Sequence, residues 1–174
     1  MTGTGKIHIY YGDGKGKTTA AVGQVVRAAG AGLRVLVFQF LKDNGSNERK
    51  ILEQLPNVTC LPGREPVKFV SRMKRTKKAE LTHYNNKALD EIVKFCSPFD
   101  VLLLDEALCA VNLNVLSEEK LASFLEHKPR GLEVILTGHE ASDRLVTMAD
   151  YVTLMTKIHH PYEDGVSARE GIEF

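Results

Sequence analysis

The chain has 174 residues, a length that fits one domain with a buried core. Apolar residues make up 43% and charged residues 26% of it, as in ordinary globular proteins, and a net charge of +1 gives no general attraction to nucleic acid or to a membrane. Its three cysteines form no CxxC pair, which argues against a zinc ribbon or a disulfide framework. No signal peptide and no apolar stretch of the ~20 residues that span a bilayer is visible. We therefore expect a single cytoplasmic domain over residues 1–174.

The first predicted element is a strand that enters a glycine-rich turn. The β-prone run 7–11 is followed by Gly-Asp-Gly-Lys-Gly and then by Lys-Thr-Thr, which opens a predicted helix. This order of strand, loop and helix is typical of a phosphate-binding loop, in which backbone N–H groups and the helix dipole face an anion. The loop is one residue tighter than the usual spacing, because Tyr11 stands where the first glycine is expected. The residues predicted to bind a nucleotide here are Gly12, Asp13, Gly14, Lys15, Gly16, Lys17, Thr18 and Thr19.

Two side chains of this loop have specific predicted roles. Lys17 is expected to reach the terminal phosphates, and the hydroxyl of Thr18 is expected to ligate Mg²⁺. The alternative interpretation is a glycine-rich turn whose lysines serve solubility. The order of strand, loop and helix favours phosphate binding.

Beyond the loop, predicted helices and strands alternate, which indicates an α/β fold with a mostly parallel central sheet flanked by helices. The carboxyl ends of parallel strands form one rim, where ligands bind, so the segments that follow the strands should lie together. The predicted elements are a helix over 18–29, a strand over 33–40, a short helix over 48–55, a strand over 57–61, a helix over 77–96, a strand over 100–104, a helix that Ser117 caps and that runs to about 127, a strand over 132–136, a helix over 141–148, a strand over 151–155 and an irregular tail over about 157–174.

An acidic pair ends one of the predicted strands. The apolar run 101–104 leads directly into Asp105 and Glu106, the usual second element of a phosphate-loop site. We expect Asp105 and Glu106 to join Thr18 as ligands of Mg²⁺, and Glu106 could instead orient a nucleophile, so that Lys17 and Glu106 are the catalytic candidates. The alternative is a strand that ends in a solvated acidic turn.

The sequence resembles the P-loop ATP:corrinoid adenosyltransferase family over nearly the whole chain from Ile7. The resemblance includes the shortened glycine loop and a tail that a general ATPase would not be expected to share. The segments that carry it are 12–21, 37–42, 104–106, 136–138, 148–153 and 160–174. It implies a RecA-like P-loop domain that transfers the 5′-deoxyadenosyl group of ATP to cobalt(I) of a reduced corrinoid and releases triphosphate. Since cobalt(I) is itself the nucleophile, no base-activated Ser, Cys or His is required.

The resemblance also implies further residues and partners. Arg27 would touch the nucleotide, although an exposed arginine on that helix is an alternative. Relatives often present a Phe-Thr-Trp segment over the corrin; this chain has no tryptophan, and Phe69 is the candidate for that apolar wall, with a core phenylalanine as the alternative. The substrates would be ATP and the corrinoid, with Mg²⁺ as cofactor, an electron-donor protein as a possible partner and a homodimer as a possible assembly.

Two other functional classes remain open from the sequence. One is an ATP-dependent regulatory or nucleic-acid-associated P-loop protein that uses a basic run, and the other is a thymidine-kinase-like enzyme, which the missing cysteine pairs disfavour. The basic run could also be a solvated face, or could meet corrin carboxylates or a reductase. Its members are Arg64, Lys68, Arg72, Lys74, Arg75, Lys77 and Lys78.

Overall fold

A computed structural model of the chain describes residues 3–64 and 75–173. Six parallel strands in this part of the chain form one sheet in the order β3-β2-β4-β5-β1-β6. They are β1 (Ile7–Tyr11), β2 (Val35–Gln39), β3 (Val58–Cys60), β4 (Val101–Asp105), β5 (Glu133–Gly138) and β6 (Tyr151–Leu154). The predicted α/β class is confirmed, and the arrangement, with β5 between the loop-bearing β1 and the acid-bearing β4, is that of a RecA-like P-loop fold.

Helices cover both faces of the sheet. They are α1 (Lys17–Gly30), α2 (Asn47–Leu52), α3 (Arg75–Phe95), α4 (Ala107–Asn112), α5 (Glu118–His127) and α6 (Asp143–Met148), and a short 3₁₀ turn lies at Pro161–Asp164 in the otherwise irregular tail. Within the described residues, no helix is long and apolar enough to span a bilayer. The sequence did not predict α4, because its six residues are too few to display a helical period and its first four are all buried.

The core consists of two apolar layers, one on each face of the sheet. Leu102 and Leu104 of β4 face the layer that α3, α4, α5 and α6 cover, while Val101 and Leu103 face the layer of α1 and α2. Because β4 is buried on both faces, its sequence reads as an unbroken apolar run. By contrast, every residue of the edge strand β6 is exposed.

Helix α3 departs in part from its predicted apolar stripe. Leu81 and Leu89 are buried as expected, but Val93 of the same predicted stripe is 43% exposed. Asn85 is buried instead, and its amide donates to the carbonyl of Val115 at 3.1 Å. A polar side chain can occupy the stripe because that hydrogen bond satisfies it.

The ends of the strands meet as predicted. Tyr11 at the end of β1 pairs with Gly138 of β5 and with Leu154 of β6, and Gln39 at the end of β2 pairs with Asp105 of β4. The phosphate loop, the acidic pair and the segments after β2, β5 and β6 therefore share one rim of the sheet.

Candidate active site

The phosphate loop (residues 12–16) is shaped by glycines and by the backbone that follows β6. Gly12 and Gly16 adopt φ +120 and +112, values that side chains rarely allow. A Cβ atom at Gly12 would overlap the carbonyl oxygen of Met155, and one at Gly14 would lie 2.8 Å from it. That same oxygen accepts a hydrogen bond from the N–H of Gly14 at 2.8 Å. The tight loop therefore depends on direct backbone contact with the segment after β6.

The N-terminus of α1 is left open toward the loop. Its N-cap is Gly16, and no side chain caps the N–H groups of the first turn. Lys17 Nζ donates to the carbonyl of Gly14 at 2.7 Å, so the lysine folds back over the loop. The helix dipole, the N–H groups and the ammonium group together favour an anion at this position.

Asp13 and Lys15 lie on the outer side of the loop and are exposed. Asp13 Oδ1 accepts the N–H of Lys157 at 3.0 Å, and this hydrogen bond, the largest contribution, holds the pKa of the Asp13 carboxyl below its ordinary value. Lys15 Nζ lies 3.9 Å from a carboxylate oxygen of Glu173 in the tail. The tail therefore contacts the loop at both ends of its outer surface.

The Asp105 cluster comprises the buried Asp105 carboxylate and the four side chains that donate to it. Oδ1 accepts from Thr18 Oγ1 at 2.9 Å and from Thr137 Oγ1 at 2.7 Å, while Oδ2 accepts from Gln39 Nε2 at 3.1 Å and from Lys42 Nζ at 2.8 Å. Burial acts to raise the pKa of Asp105, but Lys42 and the hydroxyl and amide donors outweigh it and hold that pKa below the ordinary value. Asp105 is thus held as an anion beside the first turn of α1.

Glu106 begins α4 in a left-handed conformation with φ +58. Its N–H donates to Thr137 Oγ1 at 2.8 Å, so one threonine hydroxyl connects both acidic residues. Gly138, next along β5, permits α4 to approach, because a Cβ there would lie 2.6 Å from that of Leu108. Burial first, and then the neighbouring Glu106, raise the pKa of Cys109 to about 12, so this thiol is not a nucleophile at neutral pH.

A cavity of about 650 Å³ opens beside these groups, within the usual size of a ligand pocket. Of the predicted site residues, Thr18, Thr19 and Glu106 line it. Sequence reasoning assigned no role to several others that line it, namely Val22, Leu41, Lys42, Asp43, Ser46, Asn47, Glu48, Gly171, Ile172 and Glu173. The segment 37–42 and the tail carried the family resemblance, and that was the available signal for the residues around Lys42 and Ile172.

The donors available for a metal are all oxygen atoms. The Thr18 hydroxyl, the Asp105 carboxylate and the Glu106 carboxylate are hard ligands that suit Mg²⁺. Among residues 3–64 and 75–173, no three His, Cys, Asp or Glu side chains are grouped closely enough to hold a metal by themselves. The residues fit an ion that shares its ligands with nucleotide phosphates, which is how Mg²⁺ is usually bound.

Of the site predictions that fall on described residues, Arg27 lies neither in the loop nor in the lining of the cavity. Arg27 is exposed in the last turn of α1, about 15 Å along the helix axis from Lys17, and its contact with the nucleotide stays a prediction. Phe69 lies outside the described residues, as do Lys68, Arg72 and Lys74 of the basic run. Arg64, a described member of that run, lies over the ring of Tyr84 and 3.5 Å from Glu80, which is the behaviour of a solvated surface residue.

The fold and the loop define a P-loop nucleotide-binding protein of the RecA-like class. Comparison with known proteins gives the family. The family described as ATP:corrinoid adenosyltransferase BtuR/CobO/CobP matches residues 3–174, and the chain belongs to it. A corrinoid adenosyltransferase of Escherichia coli K12 is 32% identical over 98% of this chain and 86% of its own length. The relatives of the same name from a Sinorhizobium species and from Salmonella typhimurium are each 30% identical over 98% of this chain, and over 80% and 86% of their own lengths.

Proposed function

We propose that the protein transfers the 5′-deoxyadenosyl group of ATP to cobalt(I) of a reduced corrinoid and releases triphosphate. The observation that carries the proposal is the tightened phosphate loop: Lys17 folds back over it, and the uncapped helix that follows it carries Thr18, which donates to the anionic Asp105. Such a site is suited to stabilising a polyphosphate leaving group.

The step balances without a nucleophile from the protein. The electron pair of cobalt(I) forms the cobalt–carbon bond, the bond between C5′ and its oxygen breaks, and that oxygen leaves with the triphosphate. Cobalt ends formally as cobalt(III), so the corrinoid must arrive already reduced, and an electron-donor protein is the corresponding partner. The raised pKa of the Cys109 thiol agrees with a reaction in which the protein supplies no nucleophile.

The protein's contribution would be position and charge. Lys17 and the loop N–H groups other than those of Gly12 and Gly14, which the backbone already uses, would stabilise the negative charge that grows on the departing triphosphate, with Lys15 at the loop's outer side. Thr18, Asp105 and Glu106 would hold Mg²⁺, which neutralises phosphate charge when bound. Glu106 is retained as a catalytic candidate because it lines the cavity beside Thr18.

The direct test mixes the protein with ATP, Mg²⁺ and chemically reduced cobalamin and follows the absorbance change of cobalt–carbon bond formation. We expect conversion that requires both ATP and Mg²⁺. Absence of conversion, together with release of orthophosphate from ATP, would favour the ATP-dependent regulatory or nucleic-acid-associated alternative.

The corrin wall has a separate test. If Phe69 forms it, Phe69→Ala should slow corrinoid turnover while ATP binding stays unchanged, because only the corrin loses contact surface. Phe95→Ala is the matched control, since Phe95 is 60% exposed at the end of α3. Unchanged corrinoid turnover in Phe69→Ala would assign the wall to other residues.

Sedimentation of the protein with and without corrinoid would test the proposed homodimer.

A further inference from the structure

The loop after β2 places Lys42 against the buried carboxylate of Asp105 at the end of β4. Leu41 adopts φ +61, a left-handed conformation that is uncommon for a residue with a side chain, and the next residue, Lys42, lines the cavity. Lys42 Nζ lies 2.8 Å from Asp105 Oδ2 and 3.7 Å from Glu48 Oε1. The ammonium group therefore neutralises two carboxylates at the position proposed above for Mg²⁺.

The Asp105 carboxylate has no acceptor position left for a metal. Its two oxygens already accept four hydrogen bonds, about the full capacity of a carboxylate. Thr137 and Gln39 are buried, with exposed fractions of 0% and 3%, so neither can move away from Asp105 into solvent, and the Thr18 hydroxyl is itself expected to ligate the ion. The Lys42 side chain is 27% exposed and can move into the cavity. Lys42 is thus the donor that a cation would displace.

Gln39 supplies an independent sign that this cluster is incomplete. Its Nε2 donates to Glu48 Oε1 at 3.0 Å and to Asp105 Oδ2 at 3.1 Å, and two acceptor partners fix the orientation of the amide. The amide oxygen is then buried with no hydrogen-bond donor among the described residues. Buried acceptors are rarely left unpaired, so a donor such as a cation's water would relieve this atom.

We propose that Lys42 occupies the cation position on Asp105 until Mg²⁺ arrives with the nucleotide, and that Lys42 then moves to the triphosphate. The inference rests on the proposed function for the identity of the nucleotide. In this account Lys42 suppresses metal binding without nucleotide and adds a positive charge to the phosphates once they are present.

The test measures Mn²⁺ binding to the nucleotide-free protein by electron paramagnetic resonance. Lys42→Met should bind Mn²⁺ about tenfold or more tightly than the wild type, because a competing charge in contact with Asp105 is removed. Lys42→Arg keeps the charge and should bind Mn²⁺ as weakly as the wild type. Lys87→Met is the matched control, since Lys87 is 66% exposed and pairs only loosely with Glu91 at 3.9 Å.

A second variant keeps the test decisive if Lys42→Met fails to fold. Lys42→Gln retains a donor for Asp105 without the charge and should also tighten Mn²⁺ binding. Mn²⁺ affinity that is unchanged or weaker in the folded neutral variant would overturn the proposal.

The second half of the proposal is measured by calorimetric titration of ATP in the presence of Mg²⁺. Lys42→Gln should bind ATP several-fold more weakly, and Lys42→Arg should restore the affinity. ATP affinity that does not change in Lys42→Gln would remove Lys42 from the triphosphate. Neither measurement contains a corrinoid or requires turnover, so failure of adenosyl transfer would leave both results interpretable.

Discussion

The end of β4 and the segment after β6 both control the phosphate loop, but they do so by different means. Strand β4 lies in the middle of the sheet, and its end brings a buried carboxylate to Thr18. Strand β6 is an exposed edge, and the residues after it contact the loop with backbone atoms, through the carbonyl of Met155 and the N–H of Lys157. The negative charge beside Thr18 therefore comes from a side chain of the core, whereas the shape of the loop is set by the main chain that follows an edge strand.

The largest expected effect comes from breaking the main-chain contact. Gly12→Ala forces a Cβ into the Met155 carbonyl at φ +120, which should cost about 2–4 kcal/mol of folding free energy and abolish ATP binding. Gly23→Ala on α1, where a Cβ meets nothing within 4 Å, is the control and should be neutral or stabilising by up to about 1 kcal/mol. Denaturant unfolding measures the stability of the two variants, and titration measures their ATP affinity. Normal ATP binding by Gly12→Ala would contradict the role of the segment after β6 in shaping the loop.

Lys17→Met tests the charge that the loop itself provides. We expect kcat to fall about 10²–10³-fold, since the stabilisation of a leaving anion is lost, while stability changes little. Lys15→Met, on the exposed side of the loop, should reduce kcat by less than about tenfold. Equal losses in the two variants, measured by steady-state kinetics, would show that overall positive charge rather than the position of Lys17 matters.

Asp105→Asn tests the side-chain half of the comparison. It leaves Lys42 without its closest carboxylate and should cost about 1–3 kcal/mol of stability and raise the Mg²⁺ concentration needed for turnover. Asp90→Asn is the control, because Asp90 is an exposed partner of Lys120. Unchanged kinetics at low Mg²⁺ would remove Asp105 from the metal site.

The Asp105 carboxyl also makes the stability of the fold depend on pH. The pKa of Asp105 is lower in the folded protein than its ordinary value of 3.8, so the stability that it contributes is fully present above that value and is lost as the pH falls through the folded-state pKa. The stability difference between wild type and Asp105→Asn should therefore shrink on acidification below about pH 4. Unfolding curves from pH 7 to pH 3 measure it, and a difference that grows toward acid would contradict the assigned direction.

The smallest expected effect is at Asp13. Asp13→Ala removes an exposed acceptor for the Lys157 N–H and should lower the unfolding temperature only slightly, with a modest weakening of ATP binding. A loss as large as that of Gly12→Ala would mean that this side chain, and not the Met155 carbonyl, maintains the loop. Thermal unfolding of the two variants side by side decides this.

Much of the fold was predictable because the signals were local. The glycine loop, the apolar run before Asp105 and the cap at Ser117 each follow from adjacent residues, and the structure has the corresponding strand, helix and cap. The short helix α4 was not predictable, since six buried residues carry no period.

The side chains around Asp105 could be predicted only in part. Thr18 was expected there, whereas Gln39, Lys42 and Thr137 lie in segments that carry the family resemblance but were given no role of their own. The Met155 contact is a backbone carbonyl, which any residue type provides, so no sequence pattern marks it. Both the Asp105 contacts and the Met155 contact depend on how distant parts of the chain fold together, which the local sequence does not show.

The most direct measurement of the central claim is the phosphorus product of one turnover. Phosphorus NMR of a stoichiometric mixture of protein, ATP, Mg²⁺ and reduced cobalamin should show intact triphosphate, in an amount equal to the cobalt–carbon bond formed. ADP and orthophosphate in its place would mean that attack occurs at the γ-phosphorus, and would contradict transfer of the adenosyl group.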